Sequence, residues 1–392
     1  MQIYADNAAT TKMSAVALKA MEPYLTEVYG NPSSLHSMGQ RAKEALDQAR
    51  QTIADCLGCE PKELYFTSGG SEADNQAILS AARIGARKGK KHIISTAFEH
   101  HAVLHTLDRL RNEGFEIELL EVHENGLVQP EQVAAAIRPD TCLVTVMYAT
   151  MKSAPFSRLS RLDESAGRRA VPFHTDAVQA VGHLAIDVKA QISTCSALSA
   201  HKFHGPKGIG ALYVRKGVPL LSLIEGGAQE RGKRAGTENL PAIMGMAAAL
   251  EDACRHQKEN AAKISALRDR LIAGLSQIPH GALNGDRSQR LPGNVNFCFE
   301  GIEGESLLLL LDARGICASS GSACTSGSLD PSHVLLAIGR IHDVAHGSLR
   351  LTLSEWNTEA EIDKIIQDVT EVVAYLRQMS PVWKELLAGQ RA

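Results

Sequence analysis

Short apolar runs alternate with stretches of helical period over roughly the first 255 residues of the chain. Glu63–Phe66, His92–Ser95, Cys142–Tyr148, Val171–His174, Cys195–Leu198 and Gly208–Val214 have the length and content of strands. Between most of them lie helical patterns, such as Glu72–Lys88 and Ala102–Glu113. Apolar strands separated by helices predict an α/β fold whose sheet is mainly parallel and covered on both faces. Ligands of such sheets gather at the carboxyl ends of the strands. Pro241 opens a further helical stretch that runs to Ile278 and leads out of this sheet. A smaller α/β unit follows. Its last helix is announced by a capping box at Thr358 and Glu361. Ile362, Ile365, Ile366, Val369, Val372, Val373 and Leu376 then recur at helical spacing.

Composition narrows the partners. The 392 residues are 44% hydrophobic and 22% charged, so the chain can bury a large core and disorder is excluded as its main state. Lys and Arg number 41 against 44 Asp and Glu, which offers no basic excess for nucleic acid or an anionic membrane. The leucine run Leu307 to Leu311 is far short of the roughly 20 residues that span a bilayer. Asp6 interrupts the N-terminus before a signal peptide can form. Eight cysteines are too few for a disulfide framework, so a reduced, cytoplasmic setting is expected.

Four strings carry candidate chemistry. Thr67-Ser68-Gly69-Gly70-Ser71-Glu72 follows a strand and opens a helix, where free N–H groups attract an anion. The plainer alternative is a tight turn with Ser71 as helix cap. His174-Thr175-Asp176-Ala177-Val178-Gln179 sets a carboxylate at a strand end, where it holds a ring nitrogen protonated or caps the next helix. In Ser199-Ala200-His201-Lys202-Phe203-His204-Gly205-Pro206-Lys207-Gly208 a lysine ends an apolar strand. A lysine partly withdrawn from water forms Schiff bases, the requirement of pyridoxal phosphate (PLP). Ser320-Gly321-Ser322-Ala323-Cys324-Thr325-Ser326-Gly327-Ser328 gives a thiol small neighbours, as a reactive cysteine needs. His100 and His101 follow a strand and Glu99, a place for ring stacking or proton transfer. Cys56-Leu57-Gly58-Cys59 has metal or redox spacing, but with no companion pair it carries neither, and no metal is expected.

Taken in order, the chain resembles the cysteine desulfurases of the NifS/IscS kind, PLP-dependent enzymes of fold type I in the class-V aminotransferase family. The resemblance runs from about Tyr4 to Trp383. It rests on Asn7-Ala8-Ala9-Thr10-Thr11, Gly30-Asn31-Pro32-Ser33-Ser34, Glu99-His100, His174-Thr175-Asp176, Ser199-Ala200-His201-Lys202, Arg234-Ala235-Gly236-Thr237-Glu238-Asn239 and Gly321-Ser322-Ala323-Cys324. It implies a large PLP-binding domain over 15–255 and a small domain of 1–14 with 256–392 that carries the cysteine loop.

The resemblance also implies residue roles. Lys202 would hold PLP, Asp176 would pair with the pyridine nitrogen, Gln179 would contact the ring hydroxyl, and His100 would stack on the ring and move protons. Gly70, Ser71, Ser199 and His201 would hold the phosphate, joined by Thr237 from a neighbouring subunit, which implies a homodimer. Arg350 would bind the substrate carboxylate with help from Asn31, and Cys324 would accept the sulfur. The implied reaction turns L-cysteine into L-alanine and leaves a persulfide on Cys324 for an acceptor protein in Fe–S assembly or thiolation.

Two segments depart from the family pattern. Thr150-Met151-Lys152-Ser153-Ala154 stands where the family reads Asn-Asn-Glu-Ile-Gly, and Met151 replaces an asparagine that bonds the ring hydroxyl. A thioether cannot donate a hydrogen bond. Thr194 stands where an acid is common. These departures keep two alternatives open: a related PLP lyase or aminotransferase with another substrate, and a weakly active, partner-binding paralogue.

Overall fold

The computed structural model describes residues 2–149, 171–191, 194–320 and 331–389. Its centre is a seven-stranded sheet in the order β2-β8-β7-β6-β5-β3-β4. These strands are β2 (Leu64–Thr67), β3 (His92–Thr96), β4 (Glu116–Leu120), β5 (Thr141–Thr145), β6 (Phe173–Asp176), β7 (Cys195–Ser199) and β8 (Gly210–Val214). From β4 across to β7 all neighbours are parallel, and β8 alone is reversed against β7 and β2. Strands β3, β5, β6, β7 and β8 are buried at every residue, as a sheet covered on both faces requires. Helices Gly70–Ala86 and His101–Asn112 cover one face. Helix Ser37–Leu57 and the first half of helix Leu240–Leu275 cover the other.

The fold class matches the sequence expectation, with local corrections. Strand β4 was not foreseen, because it lies at the sheet edge, only half buried, with Glu116 and Glu118 in it. The helix after β2 begins at Gly70 and its cap is Gly69, not Ser71. Gly69 has φ +156°, and a Cβ on Gly70 would come within 2.5 Å of Val178 Cγ2. The backbone therefore demands glycine at 69, and close packing demands it at 70. The capping box of Thr358 and Glu361 starts helix Glu359–Met379 as expected, but it is not the final one: Pro381–Leu387 adds another.

A second core surrounds a three-stranded antiparallel sheet, with β10 (Asn294–Phe299) between β9 (Gly281–Leu283) and β12 (Ser348–Thr352). The 36-residue helix Leu240–Leu275, about 54 Å long, joins the cores. Leu240, Ile243, Met246 and Leu250 pack in the first, and Ile264, Leu267, Leu271 and Leu275 in the second. The N-terminal strand β1 (Ile3–Tyr4) pairs with β11 (Ile316–Cys317), and Ile3 and Ala5 belong to the second core. The chain from residue 6 to 14 then crosses back to the large sheet. Among the described residues, no helix is long and apolar enough to cross a membrane.

One buried ion pair fixes the start of the site. Glu230 receives hydrogen bonds from Arg50 Nη1 at 2.8 Å, Arg50 Nη2 at 2.5 Å and Phe66 N–H at 2.9 Å. It thereby clamps β2 to the loop that leads to Thr237. Both side chains are buried. Glu230→Ala would leave the Arg50 charge buried without its partner, and should lower unfolding free energy by about 3–5 kcal/mol, read by urea denaturation. A Glu230→Leu/Arg50→Met double variant should recover most of that loss, since two apolar residues leave no charge behind.

Candidate active site

Lys202 ends a 3-10 turn, Ala200–Lys202, that directly follows β7. Its Nζ donates to the carbonyls of Ala8 at 2.7 Å and Ala9 at 3.0 Å. The strap of residues 7–11 is itself fastened on both sides. Asn7 Nδ2 donates to Thr352 O, and Ala8 N–H to Thr352 Oγ1. Thr11 donates to His201 O through both its N–H and its hydroxyl, and accepts from His204 N–H. His204 sits at φ +63°, a left-handed backbone that this double anchoring holds in place. The catalytic lysine candidate thus lies where the N-terminal strap, β7 and β12 meet.

Asp176 ends β6, the strand beside β7, and is buried. Burial raises its carboxyl above the ordinary range, opposed by His100, by a 2.9 Å hydrogen bond from Val178 N–H, and by Lys202. The aspartate thus caps the turn that follows, and His100 and Lys202 are the side chains of the site that favour its charged form. His100 caps helix His101–Asn112, its Nδ1 accepting from Ala102 N–H at 3.1 Å, which places the ring at the end of β3. Gln179 lies on the turn after β6, and its Nε2 donates to Ala8 O at 3.0 Å, the same carbonyl that Lys202 uses.

The entry to helix Gly70–Ala86 lies against Ser199. A Cβ built on Gly69 would stand 3.7 Å from Ser199 Oγ, and one on Gly70 would stand 3.7 Å from Ser199 Cβ. Gly69 has no side chain to cap the first N–H groups of the helix, a place where an anion can be held. Ser71 is exposed beside them. His201 places Nδ1 3.2 Å from Thr10 Oγ1, and burial followed by Lys202 and Lys207 pushes its pKa down to about 4, so it is neutral. Thr237 is exposed and lines a cleft with Thr67 and Ser68 of its own chain.

Arg350 lies in the middle of β12, 1% exposed, and its Nη2 donates to Asp6 Oδ1 at 2.8 Å. Asn31 is exposed on a separate turn, where its Oδ1 accepts from Ser33 N–H. Among the described residues no hydrogen bond joins it to Arg350. Cys324 and the Thr150–Ala154 segment lie outside the described residues. The two flanks of the cysteine segment do not: Ser319 exchanges backbone hydrogen bonds with Arg350 at 3.1 and 2.7 Å, and His333 Nε2 lies 3.0 Å from Glu99 O. The Cys-x-x-Cys string does not act as a pair. Cys59 is buried, whereas the free thiol of Cys56 lies beside that of Cys254 on the long helix, which raises its pKa. Among the described residues no cluster of His, Cys, Asp and Glu forms a metal site.

Several polar groups here gave no signal in the sequence. Asp74 and Glu99 are buried beneath the site, and His333 reaches it from the start of helix His333–Ala337, which packs in the first core. Glu99 accepts from Thr96 Oγ1 at 2.7 Å and from Met147 N–H at 2.9 Å, and burial pushes its pKa up to about 8. The Glu99-His100 string pointed to the histidine and left the glutamate's structural bonds unseen.

The donor set suits PLP. A glycine-built helix entry facing a serine offers a phosphate cup, a buried carboxylate stands beside it, and a lysine follows the neighbouring strand. The family model described as aminotransferase class-V matches residues 3–365. A cysteine desulfurase IscS of Methanosarcina thermophila is 50% identical over 97% of this chain and 94% of its own length. A cysteine desulfurase NifS of Azotobacter vinelandii is 46% identical over 97% of this chain and 95% of its own. Among solved structures, a NifS-like protein superposes with a TM-score of 0.89 at 35% identity, covering 96% of this chain and 100% of that one. A protein titled SspA in complex with cysteine superposes at 0.79, with 34% identity over 91% of this chain and 100% of the other.

Proposed function

We infer the activity from membership: the chain belongs to the class-V aminotransferase family and, within it, to the cysteine desulfurases. It is an L-cysteine desulfurase that uses PLP. The observation that carries this reading beyond the family is the meeting of Lys202, Asp176 and His100 at the ends of β7, β6 and β3, next to the glycine cup at residue 70.

Gly70, Ser71, Ser199 and His201 would hold the phosphate of PLP, with Thr237 of a second copy completing the cup in a homodimer. Asp176 would hold a proton at the ring nitrogen, Gln179 would face the ring hydroxyl, and His100 would stack on the ring. When bound, PLP supplies an electron sink for the bond broken at the substrate's Cα. Lys202 is the base for that step. Its two carbonyl partners, Ala8 and Ala9, hold the ammonium form and aim Nζ at the strap, so its release toward substrate breaks two hydrogen bonds. Cys324 takes the sulfur: the substrate C–S bond breaks, an S–S bond forms, and L-cysteine plus the thiol becomes L-alanine plus a persulfide. The persulfide then passes to an acceptor protein for Fe–S assembly or thiolation.

Arg350 is the carboxylate site. Its guanidinium already holds Asp6, so substrate binding exchanges one carboxylate for another on a buried, fixed cation. Arg350→Gln should raise KM for L-cysteine by about 10–100-fold with a smaller change in kcat. The freed Asp6 side chain is 21% exposed and can take water in place of the guanidinium. The decisive assay is release of alanine from L-cysteine by the PLP-loaded protein. Stoichiometric alanine and sulfur are expected. A loaded protein that forms no alanine overturns the assignment, and a product screen over other amino acids then tests the altered-substrate alternative.

A further inference from the structure

Three carboxyl groups, Asp74, Glu99 and Asp176, are buried together beneath the proposed cofactor site, none more than 5% exposed. They come from three elements: helix Gly70–Ala86, the turn before His100, and β6. His100 and Lys202 bear on Asp176 and favour its charged form. Among the described residues no cation acts on Asp74: burial comes first, then Asp176 and Glu99, both acids, and Cys195 of β7 lies near it. Three carboxylates cannot all be charged in one dry space.

The hydrogen-bond pattern identifies a resting place for one proton. His174 lies on the same face of β6 as Asp176, two positions earlier. Its Nδ1 is 2.8 Å from Thr145 Oγ1. Its Nε2 faces Asp74 Oδ1 at 3.4 Å, and neither of these two buried atoms has another partner. Burial pushes the His174 pKa down to about 3, so the ring is neutral. In the tautomer whose N–H donates to Thr145, Nε2 turns a lone pair toward Asp74; in the other, Thr145 donates to Nδ1 and Nε2–H points at a charged Asp74. In the first, two facing lone pairs repel unless the carboxyl bears a hydrogen, and burial beside Glu99 and Asp176 favours that arrangement over a third charge.

We propose that Asp74 is a positioning residue, which keeps a proton directed at His174 Nε2 and so leaves the negative charge beneath the cofactor to Asp176. The pair acts through the third group: Asp74 fixes His174, and His174 fixes the strand that presents Asp176. This rests on the PLP reading above, but its first test does not need the cofactor.

Asp74→Asn keeps a donor toward His174 without a charge. Infrared difference spectra of wild type against Asp74→Asn, in both cofactor-free and PLP-loaded protein at pH 7, should show the loss of a protonated-carboxyl band. Loss of a carboxylate band instead overturns the proposal. In the loaded proteins, the pH midpoint of the cofactor absorption band should stay within about 0.3 units of wild type in Asp74→Asn. A shift of about one unit or more means that Asp74 carries charge and sinks the idea. Asp74→Val removes the donor and should weaken PLP binding about tenfold, whereas Asp74→Asn restores it. Wild-type affinity in Asp74→Val removes the positioning role. Failure of the wild-type protein to take up PLP would count against the function, while the cofactor-free infrared result would still decide the protonation of Asp74.

Discussion

Lys202→Ala is expected to reduce alanine formation from L-cysteine on the order of 10³-fold or more, in a protein that still takes up PLP without a covalent link. The cup at Gly69, Gly70 and Ser199 and the carboxyl of Asp176 do not depend on the lysine side chain. Exchange of the substrate Cα hydrogen with deuterated water should fall with it, because the base itself is gone. Lys202→Arg is the sharper control. A guanidinium can keep the hydrogen bonds to Ala8 and Ala9, but it stays protonated and can neither take a proton nor form an imine. If Lys202 served only to fasten the N-terminal strap, Lys202→Arg would retain activity. Inactivity in both variants, with an unchanged unfolding midpoint for Lys202→Arg, separates chemistry from anchoring. Full activity in Lys202→Arg would remove Lys202 from the reaction.

The parts of this site that were legible in the sequence are those built from short-range pattern. Strands β3, β7 and β8 were visible because each is an apolar run buried on both faces, and Thr358 with Glu361 announced a helix by a bond that spans three residues. Lys202 and Asp176 stood out because strand ends in a parallel sheet converge on one edge. Helix capping at Gly69 was misplaced by two positions. A side chain was assigned to a task that the glycine backbone performs, with Val178 packed against the next residue.

What remained hidden depends on crossings distant in sequence. Asp74 reads as an ordinary helix acid until the helix is laid over β6 and His174 appears 3.4 Å away. The partner of Arg350 is Asp6, and the partner of Lys202 is the Ala8 carbonyl; both came with the strap that returns from the second core. An alanine carries no side-chain signal for such a role, so resemblance marked the Asn7–Thr11 string while its chemistry gave no hint. Cys56 shows the converse. Its spacing suggested Cys59, but the helix turns it toward Cys254 instead.

Cys324→Ala is expected to separate the two halves of the reaction. Alanine and sulfide formation should fall on the order of 10³-fold or more, whereas Cα-hydrogen exchange should stay within a few-fold of wild type. Exchange requires Lys202 and the carboxylate site at Arg350, and neither needs a thiol. Sulfur transfer requires a thiolate, since the thiolate and not the thiol attacks sulfur. Cys324→Ser should be as inactive as alanine, because a serine hydroxyl stays protonated at neutral pH. Ser319 is bonded to the backbone of Arg350, the residue that would hold the substrate carboxylate, and His333 lies 3.0 Å from the carbonyl of Glu99, the neighbour of His100. Both flanks of the cysteine string therefore lie beside the site. Mass spectrometry of the wild-type protein after one turnover should find one added sulfur on Cys324 and none in the variant. Undiminished alanine formation by Cys324→Ala would mean that the sulfur leaves without this cysteine, and the persulfide would have to be sought on another thiol or in solution.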